Sequence, residues 1–144
     1  MPGTVEVLRT LRNRYQLGVV SNSDGSVASV LERAGLAKFF DCIIDSGVAG
    51  VQKPDPAIFG LAARSLGALP GNCLYVGDTY SVDYLGATLA GMQAVLMDRS
   101  GSYADSQLPR IASLEELPGW LAQASLVEQE GEGQAFPHPA AGPE

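Results

Sequence analysis

Lysine occurs only twice in this 144-residue chain, at positions 38 and 53, cysteine twice, and histidine once. The two cysteines, Cys42 and Cys73, lie inside the apolar runs DCIID and NCLYVG. They have no metal-ligand spacing, and buried free thiols are the better reading. That usage points to a reducing, cytoplasmic setting. The histidine, His138, stands between prolines, where nothing would hold a catalytic geometry. No apolar run approaches the ~20 residues needed to span a bilayer. The N-terminus, MPGTVEVLRTLRNRY, lacks the basic-then-apolar order of a secretory signal. No membrane partner is therefore expected. Positive charge is scarce too. Glu128, Glu130, Glu132 and Glu144 account for four of the net −7, no Lys or Arg follows Arg110, and no basic stripe occurs elsewhere. Nucleic acid is excluded as an expected partner.

What is present is globular: 46 % hydrophobic and 17 % charged residues, enough for one domain with a real core. Short apolar runs alternate with amphipathic segments. TVEVLRTLRNRY places Val5, Leu8 and Leu11 at helical spacing, and LGVVS follows as a strand. SVASVLERAGL reads as a helix closed by Gly35, CIID as a strand, and DPAIFGLAARSLG as a helix capped by Asp55 with Pro56 in its first turn. NCLYVG is a strand, SVDYLGATLAG a helix and MQAVLMD a strand, and RIASLEELPGWLAQ gives a short strand or loop and a closing helix. This alternation predicts a parallel sheet covered on both faces. Ligands of such sheets sit beyond the carboxyl ends of the strands. Ser21, Asn22, Asp45, Asp78 and Asp98 all fall there.

Three stretches could carry chemistry, and each has a plainer alternative. In VGDTYSVD, Asp78 ends a strand and Asp83 falls in the first helical turn after a bend, so the two carboxylates can converge on Mg²⁺, a hard cation that prefers oxygen ligands. They could equally be a turn residue and a helix-start acid. In VVSNSDGSV, the Ser21 hydroxyl and nearby backbone N–H groups could cradle phosphate oxygens, or Ser21, Asn22 or Asp24 could simply cap the following helix. In GVQKPDPAIF, Pro54 keeps Lys53 extended before a capped helix. That lysine could neutralise a transferring phosphoryl group, or it could be an exposed surface residue.

Together the three are far more specific. Their order and wording resemble the haloacid dehalogenase (HAD) superfamily of hydrolases: LGVVSN with Ser21, KPDPAIF with Lys53, and the acidic strand end with Gly77, Asp78 and Asp83. The likeness runs from about Pro2 to Trp120 and includes AGLAKFFDCIIDSG and LAGMQAVLMDR. It implies an α/β fold, a Rossmann-like three-layer αβα sandwich, and Mg²⁺-dependent phosphoryl transfer from a small phosphate ester through an aspartyl-phosphate. Ser21 and Asn22 would bind substrate, and Lys53 would both bind the phosphate and stabilise its charge. Asp78 would hold the metal, with Asp83 ligating it or orienting metal-bound water. The Gly-Asp form of the last motif favours a phosphatase over a metal-free dehalogenase.

One family feature is missing. The nucleophile and general acid are two aspartates in a DxD motif on a first strand, and no two aspartates here stand two apart. The resemblance places that strand at the centre of the sheet, between LGVVS and CLYVG, so this chain is expected to lack it and the helical cap. Either the flanking strands close up, or another chain fills the slot, or the sequence is a fragment or a mis-started reading frame, a fragment being the preferred account. The function is then that of a HAD phosphatase inactive without that strand, or of a non-catalytic protein keeping the pocket for binding.

Residues 1–124 are read as the partial core and 125–144, rich in Gly, Pro and Glu, as a disordered acidic tail. Deleting that tail is expected to leave the thermal midpoint nearly unchanged. A large drop would show that Leu126 or Phe136 docks on the core.

Overall fold

The computed structural model describes residues 2–130. Its regular elements are α1 (Pro2–Arg12), β1 (Gly18–Ser21), α2 (Val27–Arg33), β2 (Cys42–Asp45), the single-turn α3 (Ser46–Ala49), α4 (Pro56–Ser65), β3 (Leu74–Gly77), α5 (Leu85–Leu89), β4 (Gln93–Met97), β5 (Arg110–Ile111) and α6 (Leu117–Glu130). Every strand pairing is parallel. This is the α/β, Rossmann-like architecture expected. The segment read as a tail divides: α6 runs on to Glu130, and residues 131–144, His138 among them, lie outside the described residues.

The period-two pleat sorts the apolar residues into two layers. Leu74 and Val76 of β3, with Val95 and Met97 of β4, face Val7, Leu8 and Leu11 of α1 and Leu117 and Leu121 of α6. Tyr75 and Ala94 point the other way, onto Ile58, Phe59, Ala62 and Ala63 of α4 and Ala87 of α5. Both helix ends foreseen in the sequence form for the expected reasons. The Asp55 carboxylate accepts the Ala57 N–H at the start of α4, with Pro56 in its first turn. Gly35, at φ +75°, lets α2 finish with the Leu36 N–H bonded to the Leu31 carbonyl at 2.8 Å.

Two details differ from the sequence reading. The helix read over SVASVLERAGL forms as α2 from Val27, but none of Ser21, Asn22 or Asp24 is its cap, because Asp24 and Gly25 first turn the chain and Ser26 holds the cap position. Asp24 Oδ1 accepts bonds from the Ser26 N–H and hydroxyl, and Gly25 takes φ +100°. The helix expected over SVDYLGATLAG opens instead with a wide π-type turn over Tyr80–Tyr84, and α5 follows.

The strands form two sheets, β1-β2 and β3-β4-β5. Among the described residues no backbone hydrogen bond joins β1 to β3. The flanking strands therefore do not close up into one ladder. They meet through a side chain: the Tyr75 hydroxyl donates to the Val20 carbonyl at 3.1 Å. Beside β1, an apolar groove of about 380 Å³ opens between α1 and α2, lined by Leu8, Val19, Val30 and Phe40 and reaching Ser21 and Ser23.

The start of the β1-β2 sheet is tied to α1 by Arg12 and Asp41. Arg12 donates to both Asp41 oxygens at 3.0 and 3.1 Å, and Asp41 also accepts the Leu17 N–H. The Arg12 guanidinium holds the Asp41 carboxyl below the ordinary carboxylate range, with the Leu17 N–H adding to the effect. A depressed folded value means stabilisation that is present above the unfolded value, about 3.9, and lost as pH falls through the folded one. Because both side chains are partly exposed, Asp41→Asn should cost only about 1 kcal/mol at pH 7. The difference in thermal midpoint from the parent chain should narrow once the pH drops below about 4. A difference that held constant down to pH 2 would disprove this role.

Candidate active site

Lys53 is the centre of the polar cluster at the carboxyl ends of the strands. It follows α3 and precedes α4, is only 3 % exposed, and its main chain is held by Asn22 just after β1. The Asn22 amide donates to the Lys53 carbonyl at 3.1 Å and accepts the Lys53 N–H at 2.9 Å. Asn22, expected in the substrate-binding set, thus has its side chain committed to the lysine segment. The alternative of an exposed surface lysine is overturned.

The Lys53 ammonium donates to Asp83 Oδ1 at 2.8 Å and to the Tyr75 hydroxyl at 3.1 Å. Asp83 is 1 % exposed and its other oxygen accepts the Thr79 N–H at 3.1 Å. The wide turn over Tyr80–Tyr84 brings Asp83 back beneath the end of β3, with its own N–H bonded to the Thr79 carbonyl at 2.7 Å. Gly77 makes this approach possible: a Cβ there would collide with the Asp83 side chain. The glycine of the VGD sequence therefore has a steric role that a reading confined to the carboxylates missed.

Asp78 is exposed at the tip of β3, with one oxygen accepting the Thr79 hydroxyl at 3.2 Å. Ser21, half-buried, ends β1 and pairs in register with Asp45. A continuous chain of hydrogen bonds thus runs from Val20, next to Ser21, through Tyr75, Lys53, Asp83 and Thr79 to Asp78. These links gather the three sequence motifs at one end of the two sheets.

The donor chemistry suits Mg²⁺ in a limited way. Mg²⁺ keeps several waters and commonly takes one or two protein carboxylates together with substrate phosphate. Asp78 fits that role, being exposed with an oxygen to spare. Asp83 has both oxygens engaged within the protein, one as the counter-charge of Lys53. Among the described residues no group of three or more His, Cys, Asp or Glu side chains could hold a metal on its own.

The other strand-end acids serve the loops. Buried Asp45 accepts the Gly25 and Gly47 N–H groups on Oδ1 and the Val27 N–H on Oδ2, so it binds the loop after β1 to the turn after β2. Ser46 adds a hydroxyl bond from the Ser23 N–H, and Gly47 lies so close that a Cβ would meet the backbone of Asp24 and Gly25. Asp98 accepts the Ser102 and Tyr103 N–H groups. Sequence position at a strand end does not separate such loop-holding acids from Asp78 and Asp83.

Removing one member of the Lys53–Asp83 pair leaves a buried charge without a partner. Lys53→Ala or Asp83→Ala should each cost roughly 3–5 kcal/mol in denaturant unfolding. The double variant Lys53→Met/Asp83→Leu should cost less than either. Single variants within ~1 kcal/mol of the parent would contradict the buried pair, because an exposed ion pair is worth no more than that.

Comparison with known proteins agrees with this geometry. A family model for haloacid dehalogenase-like hydrolases matches residues 1–91. The chain is 39 % identical over 98 residues to haloacid dehalogenase-like hydrolase domain-containing protein 3 of Bos taurus, covering 67 % of this chain and 39 % of that protein. It is 39 % identical over 101 residues to glyceraldehyde 3-phosphate phosphatase of Methanothermobacter thermautotrophicus, covering 67 % and 44 %. It thus spans less than half the length of these two relatives. Among solved structures, a HAD phosphatase from Thermococcus onnurineus superposes with a TM-score of 0.78 at 34 % identity, over 84 % of this chain and 57 % of that one. The chain belongs to the haloacid dehalogenase-like hydrolase family.

Proposed function

We propose that this chain carries the phosphate- and metal-binding part of a Mg²⁺-dependent phosphatase for a small phosphorylated metabolite, and that by itself it is inactive. What carries this reading is Lys53: a buried ammonium at the carboxyl ends of the strands, linked through Asp83 and Thr79 to the exposed Asp78. The similarity to a glyceraldehyde 3-phosphate phosphatase supports a phosphate ester as substrate class.

In this scheme the Ser21 hydroxyl binds a phosphoryl oxygen. The Lys53 ammonium has three donors, of which Asp83 and Tyr75 take two, and the third is available to a phosphate oxygen. A positive charge fixed in a low-dielectric site stabilises developing negative charge without reorganising at the moment of reaction. Asp83 supplies the counter-charge of that ammonium. Asp78 would hold Mg²⁺, which supplies further positive charge against the phosphoryl oxygens.

The chain's own acids leave the nucleophile's place unfilled. The sequence contains no DxD pair. Asp45 spends its carboxylate on three backbone N–H groups, and Asp24 bonds Ser26, with which it forms its turn. Covalent phosphoryl transfer needs a positioned, activated nucleophile, and general acid catalysis, worth ~10²–10⁴-fold, would be lost with the second aspartate.

The test compares hydrolysis of a generic aryl phosphate by this chain and by a version carrying an upstream DxD strand and cap. The short chain should show negligible turnover at saturating Mg²⁺, with weak Mg²⁺ binding by calorimetry that weakens further in Asp78→Asn. The extended version should turn over. Robust activity in the short chain, abolished by Asp78→Ala, would place the nucleophile among the aspartates already present. A persistently inactive extended version that still binds Mg²⁺ and phosphate would favour the non-catalytic binding protein.

A further inference from the structure

Tyr75 occupies a position that the three motifs do not account for. It lies on β3, three residues before Asp78, and is only 3 % exposed. Its ring meets Phe59 of α4 edge-on, with centroids 5.0 Å apart and planes at 83°. That contact fixes the ring from below and directs the hydroxyl toward the boundary between the two sheets. There the oxygen meets groups from two other elements. It donates its proton to the Val20 carbonyl of β1 at 3.1 Å and accepts from the Lys53 ammonium at 3.1 Å. A phenolic oxygen has one proton and two lone pairs, so both bonds form at once.

We propose that Tyr75 is a positioning residue for Lys53, and that the same hydroxyl sets the spacing between Lys53 and the Ser21 end of β1. The reason is geometric. Lysine has a long, flexible side chain carrying a point charge, so a single ion pair to Asp83 fixes its distance from one oxygen but leaves its direction free. A second anchor on a rigid strand, set by an edge-packed ring, removes that freedom. It also leaves one ammonium donor for a ligand. Across the same boundary, β1 and β3 share no backbone hydrogen bond among the described residues, and the Tyr75 hydroxyl is a polar link between them. Phenylalanine would fill the same space against Phe59 and perform neither task.

The catalytic meaning of this inference rests on the phosphate-site reading of Lys53, but the position of the ammonium can be read without turnover. Lys38 and Lys53 are the only lysines in the chain, so lysine-selective ¹⁵N labelling gives two ammonium groups, and exposed Lys38 serves as the internal reference. Hydrogen exchange at the Lys53 ammonium should be much slower than at Lys38. In Tyr75→Phe it should speed up by about tenfold, as expected for the loss of one hydrogen bond to a charged group. Reductive methylation of Lys53 relative to Lys38 should rise in parallel. Leu121→Ala, which weakens the opposite core layer, should leave both ratios at the parent values.

Unchanged exchange and labelling in Tyr75→Phe, or the same increase in Leu121→Ala, would reduce Tyr75 to a packing residue and overturn the proposal. Should Tyr75→Phe fail to fold, the parent chain still decides: a Lys53 ammonium exchanging as fast as that of Lys38 overturns it, and a slowly exchanging Tyr75 hydroxyl proton with a nuclear Overhauser contact to the Lys53 ammonium upholds it. An inactive extended enzyme with these ratios as expected would count against the phosphatase reading alone.

Discussion

The buried ion pair between Lys53 and Asp83 is the constraint around which this end of the molecule is arranged. An ammonium and a carboxylate removed from water need each other and need their remaining hydrogen-bonding groups satisfied. Each neighbouring feature answers part of that demand. The Thr79 N–H takes the second Asp83 oxygen, the Tyr75 hydroxyl takes a second ammonium proton, and the Asn22 amide pins the lysine's main chain. The wide turn over Tyr80–Tyr84 and the bare Cα of Gly77 let Asp83 reach beneath β3. A fixed positive charge at the mouth of a parallel sheet suits phosphate oxygens, so under the proposed function the same arrangement would serve both stability and binding.

The acids at the strand ends illustrate how similar sequence positions diverge in use. Asp45 and Asp98 are buried and accept backbone N–H groups, holding loops in shape, with Arg110 beside Asp98 at 3.6 Å. Asp83 is buried and hydrogen-bonded to a buried ammonium as well as to one backbone N–H. Asp78 alone among these is exposed with an oxygen to spare, which makes it the group suited to a metal. Their environments, not their places along the chain, assign the tasks.

The division of the strands into two sheets bears on the same site. Val20 and Tyr75 belong to strands with no shared ladder, and a side-chain hydroxyl spans the boundary. Helices cover the sheets on both faces, with α1 and α6 on one and α4 and α5 on the other. Backbone groups along such an internal edge would ordinarily be paired with a neighbouring strand. The site is thus built from two sheets joined through side chains rather than by a shared ladder.

Much of this was legible in the sequence because it is written locally. The order of strands and helices follows from apolar runs and periodicity. The cap at Asp55 and the helix end at Gly35 follow from residue chemistry, and the candidates Ser21, Lys53, Asp78 and Asp83 follow from motif wording. What the tertiary structure alone decided are the partnerships over long separations. Lys53 is buried rather than exposed because Asp83, thirty residues away, supplies its counter-charge. The loop between β1 and α2 takes its shape from Asp45 of the adjacent strand. Tyr75 reads in the sequence as one more apolar residue of a strand. It became part of the site only when folding set its hydroxyl between Val20 and Lys53, because no local pattern records which distant groups a side chain will meet.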